Sequence, residues 1–123
     1  FYLASRIYAS QNDFENAVPA AARAAEINAG DPEAWYNLGL IAYAAKEYAN
    51  ADSALQRALG IQPQFANALY FRGLAQYHLG DVEAAIATFE TLDTIDPSQT
   101  IVKTILENLR AGAPPINETP AAE

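Results

Sequence analysis

The chain has 123 residues, of which 51% are apolar and 18% charged, and its formal net charge is −8. This length suits one domain, and the apolar fraction is that of a globular rather than a disordered chain. The seven basic residues are scattered singly between Arg6 and Arg110, so we expect no nucleic-acid partner. No apolar run reaches the roughly 20 residues that cross a bilayer, so we also expect no direct membrane insertion.

The sequence contains neither Cys nor Met. The lack of Cys removes disulfides and Cys-ligated zinc, but it is compatible with either redox compartment, so the localisation stays open. Because the chain begins at Phe1 inside a helical pattern, we expect it to be part of a longer polypeptide.

The sequence repeats itself with a period of 34 residues. Large, aromatic and small residues recur in separate columns of this repeat. The columns include Phe1, Trp35 and Leu69; Tyr2, Tyr36 and Tyr70; Ser5, Gly39 and Gly73; and Ala17, Ala51 and Ala85. Agreement across so many columns indicates an internal repeat that runs from the first residue to about Pro97.

Each unit has the apolar spacing of two helices, with breaks at proline and glycine clusters such as Gly30-Asp31-Pro32. Pro19 lies inside one helical pattern, so we expect a kink or a late helix start there. No segment has the alternation of a strand. In chain order the pattern predicts helices at 1–11, 14–28, 32–45, 48–61, 66–79, 82–95 and 98–110.

These units resemble tetratricopeptide repeats. The family pattern is carried by Trp35, Leu38, Gly39, Ala51, Leu55, Ala58 and Pro63; by Leu69, Gly73, Ala85, Phe89, Leu92 and Pro97; and by Tyr8, Ala17, Ala21 and Ala24. Ser5, Ala29 and Arg72 depart from it. The resemblance implies an all-α, right-handed superhelix over residues 1–110, with repeats at about 1–31, 32–65 and 66–97.

The last predicted helix, 98–110, has one apolar face, and Ser98 is its expected N-cap. It is interpreted as a capping helix that covers the last repeat. The first helix of a truncated fourth repeat predicts the same contacts, so this alternative stays open. Residues 111–123 are rich in Pro and Ala without apolar periodicity, and we expect a flexible tail or linker there.

The first helix of each unit carries a second apolar stripe. Its residues are Tyr36, Leu40 and Tyr43, repeated as Tyr70, Leu74 and Tyr77, and Tyr2 and Arg6 are the matching residues of the first unit. The resemblance implies that this stripe lines a concave groove. Tyrosines there suit a peptide or helix of a partner protein. Alternatively, Tyr43 and Tyr77 are packing residues, or the groove is filled by the chain's own tail or by a second copy.

The best-known ligands of the family are the acidic C-termini of heat-shock chaperones, which Lys, Arg and Asn side chains hold. The resemblance puts those places at Tyr2, Arg6, Leu40, Tyr70 and Leu74. Only Arg6 is charged, so binding of chaperone tails is disfavoured. The net negative charge favours a neutral or basic, partly apolar ligand.

The side chains needed for catalysis are scarce, since the chain has one His, no Cys and no Gly-rich phosphate loop. We therefore expect no catalytic residues, no metal site and no cofactor, and a structural or groove-rim role for His78. The sequence predicts a non-enzymatic scaffold that binds another protein. Two alternatives remain: a homo-oligomeric assembly module that stacks through terminal faces such as Phe1, Leu3 and Ala4, and a regulatory repeat region of a longer enzyme.

Overall fold

The computed structural model describes residues 14–116, and within them the chain forms helices and no strand. The helices are α1 (Phe14–Ile27), α2 (Pro32–Ala44), α3 (Tyr48–Ile61), α4 (Ala66–His78), α5 (Val82–Ile95) and α6 (Thr100–Arg110). The all-α prediction is confirmed. The predicted helix at 1–11 lies outside the described residues.

The starts of α2 and α5 follow from local hydrogen bonding. Asp31 caps α2, its carboxylate accepting a bond of 3.0 Å from the Glu33 N–H, and Pro32 fills the first position of the helix. Asp81 caps α5 in the same way through the Ala84 N–H at 3.1 Å. α1 begins at Phe14 and contains Pro19, so of the two expected outcomes the late helix start is wrong, and the kink stays a prediction.

The start of α6 also differs from the prediction. Ser98 is not the N-cap, because its hydroxyl donates to the Asp96 carboxylate at 2.6 Å and the helix begins at Thr100. Asp96 accepts further bonds from the Ser98 N–H at 3.3 Å and from Gln99 Nε2 at 2.9 Å. The bonds from the side chains of Ser98 and Gln99 hold the pKa of Asp96 below its ordinary value. This carboxylate therefore organises the turn that leads into α6.

In the second and third units the two helices approach closely at a glycine of the first helix. A Cβ built on Gly39 would lie 2.6 Å from Leu55 Cδ2, and one built on Gly73 would lie 2.5 Å from Phe89 Cε2. Both distances are below any real carbon contact, so α2 and α3, like α4 and α5, fit together only with a bare backbone at this point.

Trp35 joins the first unit to the second. It is 8% exposed and packs in a core cluster with Ala25 of α1 and Ala58 of α3. Its Nε1 donates to the Ala29 carbonyl at 2.9 Å, and the Arg57 guanidinium lies 4.8 Å from its ring centroid. The indole is thus fixed on its edge and on one face.

The C-terminal end of the array is closed by α6 and by the residues that follow it. α6 buries its apolar face, Val102, Ile105, Leu106 and Leu109, against α4 and α5. We expected a linker from residue 111 onward. Instead Pro115 is fully buried and Ile116 packs on the same core cluster, so the folded region extends to residue 116.

The close approach at Gly73 generates the first prediction. Gly73→Ala should lower the free energy of unfolding by about 1–3 kcal/mol, because the new methyl group forces Phe89 out of its position. The matched control is Gly60→Ala in α3, where a Cβ would meet nothing within 4 Å. There we expect a gain of up to about 0.5 kcal/mol from helix propensity. Urea titration of both variants checks this, and equal effects at the two sites would contradict the packing argument.

Asp96 generates a prediction about pH. Its folded pKa lies below the unfolded one, so its contribution is fully present above the ordinary value of 3.8 and is lost as the pH falls through the lowered pKa. Asp96→Asn should therefore be less stable than the parent chain at neutral pH, and this difference should shrink in acid. Urea titrations of the two proteins from neutral to acidic pH measure it. A difference that stays constant would refute the assignment.

Candidate functional site

The predicted stripe lies on α2 and α4, the first helices of the two fully described units. Tyr36, Leu40 and Tyr43 of α2 are each partly buried, as are Tyr70 and Tyr77 of α4. Leu74 differs, because it is 2% exposed and belongs to the core cluster formed with α5 and α6. Tyr2 and Arg6 lie outside the described residues.

Phe71 is the centre of an aromatic network across this stripe. Its ring centroid lies 6.4 Å from that of Tyr36, 5.7 Å from that of Tyr43 and 5.2 Å from that of Tyr70. Phe71 therefore connects the tyrosines of α2 to those of α4. Sequence reasoning missed it because its partner in the 34-residue register is Asn37, so no repeated column marks the position.

A second group of rings lies where α2 and α4 end. The imidazole of His78 stacks on Tyr48, with centroids 4.3 Å apart and planes at 9°. Tyr43 meets both of these rings edge-on, at 5.4 Å from Tyr48 and 5.8 Å from His78, and Tyr77 lies 5.5 Å from His78. His78 is thus a packing partner of the stripe tyrosines.

The other two stripe tyrosines, Tyr36 and Tyr70, also pack against aromatic rings. Tyr36 lies 4.7 Å from Phe65, and Tyr70 lies 6.0 Å from the buried Phe89. Such ring pairs contribute beyond the area they bury. Each stripe tyrosine therefore has one side held by neighbouring rings and part of its surface exposed.

The stripe is poor in charge. Glu33 is the one charged residue of α2, and α4 has Arg72 and the titratable His78. Arg72 does not serve the stripe, since its Nε lies 2.9 Å from Asp52 Oδ1 on α3. No lysine or arginine of α2 or α4 is thus placed to neutralise a carboxylate on the stripe.

Two further kinds of site are absent from the part of the chain that the structure describes. Residues 14–116 contain no helix long and apolar enough to cross a membrane. Within the same range no group of three or more His, Cys, Asp or Glu side chains is arranged to hold a metal ion.

The fold is similar to solved structures of low sequence identity. The first TPR of Spaghetti (RPAP3) bound to the HSP90 peptide SRMEEVD superposes with a TM-score of 0.78 at 18% identity, covering 89% of each chain. MamA gives 0.81 at 24% identity over 88% of this chain and 63% of MamA. The O-GlcNAc transferase of Thermobaculum terrenum gives 0.71 at 22% identity, over 88% of this chain and 21% of the enzyme. These likenesses establish the helical-repeat fold.

No curated protein sequence matches the chain. A family model described as anaphase-promoting complex, cyclosome, subunit 3 matches residues 10–92, which include most of the three repeats. The repeat columns, the paired helices and this match agree, and the chain belongs to the tetratricopeptide repeat family, within the group covered by the model of anaphase-promoting complex, cyclosome, subunit 3.

Proposed function

We propose that the chain is a non-enzymatic scaffold that binds a peptide or helix of a partner protein along the stripe of α2 and α4. The contacts we assign are Tyr36, Leu40, Tyr43, Tyr70 and Tyr77, with Tyr2 and Arg6 extending the groove in the first unit. Leu74 supports the stripe from the core, since it is buried. The observation that carries the proposal is a row of partly exposed tyrosines whose rings are already held by Phe71 and His78.

Prior ordering of these rings favours binding. A tyrosine that is free in solution loses rotamer freedom when it contacts a ligand, and this loss weakens binding. Here Tyr43 is held against Phe71, Tyr48 and His78 before any ligand arrives. Tyr43 therefore loses its rotamer freedom when the scaffold folds, and this loss does not weaken the binding of a ligand.

The charges of the stripe support a neutral or basic, partly apolar ligand. SRMEEVD, the peptide bound to the first RPAP3 domain, carries four carboxylates, which are those of its two glutamates, its aspartate and its C-terminus. The stripe of α2 and α4 offers no lysine or free arginine to such a group, and Glu33 would repel it. The fold is thus shared with that domain, whereas the residues of the stripe favour a different ligand.

The experiment is a selection from a phage-displayed random peptide library on the full chain, followed by anisotropy titration of a selected peptide. We expect the selected peptides to combine apolar residues with Lys or Arg. Leu40→Lys should weaken such a peptide about tenfold, or about 1.4 kcal/mol, because it adds a like charge to the groove. Leu40 is partly exposed, so its replacement can extend to solvent without unfolding the helix.

The matched control is Ile61→Lys, at a residue 42% exposed at the end of α3 and outside the stripe. It should leave the affinity unchanged. The peptide SRMEEVD is titrated in parallel and should not bind. Tight binding of SRMEEVD, or equal affinities for the parent chain and Leu40→Lys, would refute the assigned ligand chemistry. Light scattering on the same proteins tests self-assembly, and a dimer that Leu40→Lys dissociates would make a second copy the occupant of the stripe.

A further inference from the structure

α6, at the C-terminal end of the array, has two different faces, and only one of them is suited to packing against the residues that follow it. Glu107 of α6 lies 34 residues after Gly73 and is exposed. On the same face Lys103 Nζ lies 2.6 Å from Asp93 Oδ1 of α5, and Arg110 pairs with Glu90 of α5. α5 packs closely on α4 because Gly73 has no side chain. At the corresponding place α6 carries charged side chains, so a helix cannot approach this face of α6 in the same way.

The chain nevertheless turns back after α6 as it does after α2 and α4. Lys46, Gly80 and Gly112 follow these three helices with φ angles of 64°, 87° and 81°. In each turn the next residue's N–H donates to the carbonyl five residues earlier. After α2 and α4 this turn leads into an antiparallel helix. After α6 it leads into residues 113–116, here called the return segment, which are not helical.

The return segment packs on the folded array. Asn108 Nδ2 donates to the Pro115 carbonyl at 3.0 Å, Pro115 is less than 2% exposed, and Ile116 packs on the cluster that contains Leu74. Asn108 falls in the register of Leu40 and Leu74 at the 34-residue spacing, which is the column of the stripe. The contact therefore lies on the stripe side of α6, away from the charged face.

We propose that the return segment is an intramolecular ligand at the C-terminal end of the stripe, so that a partner must displace it or bind only beyond it. This inference rests on the proposed function. The segment reads Ala-Pro-Pro-Ile, which is uncharged and apolar, and it matches the ligand chemistry assigned to the stripe. Proline fixes its backbone, so little entropy opposes its docking. Ile116 packs on the same cluster as α5 and α6, and in that cluster Leu74 is buried while Leu40, one repeat earlier, is partly exposed.

The test compares the full chain with Ile116→Ser and with the matched control Ile61→Ser, an exposed isoleucine distant in sequence from the return segment. Carbene footprinting with mass spectrometry measures the labelling of Leu74 and Tyr77. We expect labelling to rise several-fold in Ile116→Ser, because the segment no longer covers the stripe, and to stay at the parent level in Ile61→Ser.

A second measurement uses a synthetic peptide of residues 111–123 with a fluorescent label. A tethered segment acts at an effective concentration on the order of millimolar, so a docked one implies a Kd at or below about 1 mM for the free peptide. The peptide should bind Ile116→Ser, whose site is open, and should bind the parent chain and Ile61→Ser more weakly.

Unchanged labelling in Ile116→Ser, or equal peptide binding to all three proteins, would overturn the inference. Neither readout requires a partner peptide. If the library selection fails while Leu74 becomes labelled in Ile116→Ser and the peptide binds, the proposed function falls and the docked segment stands. If selection succeeds while labelling does not change, the reverse holds.

Discussion

The arrangement of this protein depends on one steric condition, the contact of a large side chain with a bare helical backbone. Leu55 lies against Gly39, and Phe89 lies against Gly73, at distances that leave no space for a Cβ. The contact sets how closely the two helices of a unit pack, and its repetition after 34 residues gives successive units the same geometry. α2 and α4 therefore lie side by side with corresponding residues facing the same way. The stripe is a consequence of this condition.

The stripe side chains stabilise the fold and, in the proposed function, also bind the partner. Phe71 contacts tyrosines on both helices, and the stacked pair of Tyr48 and His78 extends the network across the ends of α2 and α4. Because these rings pack on one another's neighbours, we expect replacement of a single ring in the stripe to affect the fold as well. The charge of the stripe is easier to change than its rings. α2 carries one charged residue, and Leu40 can be replaced without removing a ring from the network.

Most of the fold could be predicted from the sequence, because helix limits depend on local chemistry. α3 and α5 have the predicted bounds, since the breaks on both sides are strong. The start of α6 could not be predicted, because Ser98 and Asp96 compete for the same turn and the carboxylate accepts more bonds. The helix order and the repeat were thus available from pattern alone, while the exact use of polar side chains in turns was not.

The candidate site was less predictable than the fold. Residues in one repeat column are predicted to have the same surroundings in every unit. Leu40 and Leu74 share a column but have different neighbours, because Leu74 packs with α6. Phe71 belongs to no repeated column and was missed for that reason. The packing of Pro115 was missed because composition describes a segment by itself and contains nothing about the surface that the segment meets.

Because of Trp35, tryptophan fluorescence reports on one part of the array and not on the others. It is the only tryptophan in the chain, and it lies where α1 meets the second unit, while the corresponding place in the third unit holds Leu69. Solenoid units contact only their neighbours, so they can separate in steps. Indole fluorescence therefore changes when the first unit separates from the second, and it does not detect unfolding of α5 and α6. Unfolding curves from indole emission and from far-ultraviolet circular dichroism coincide only where the array opens as one cooperative body.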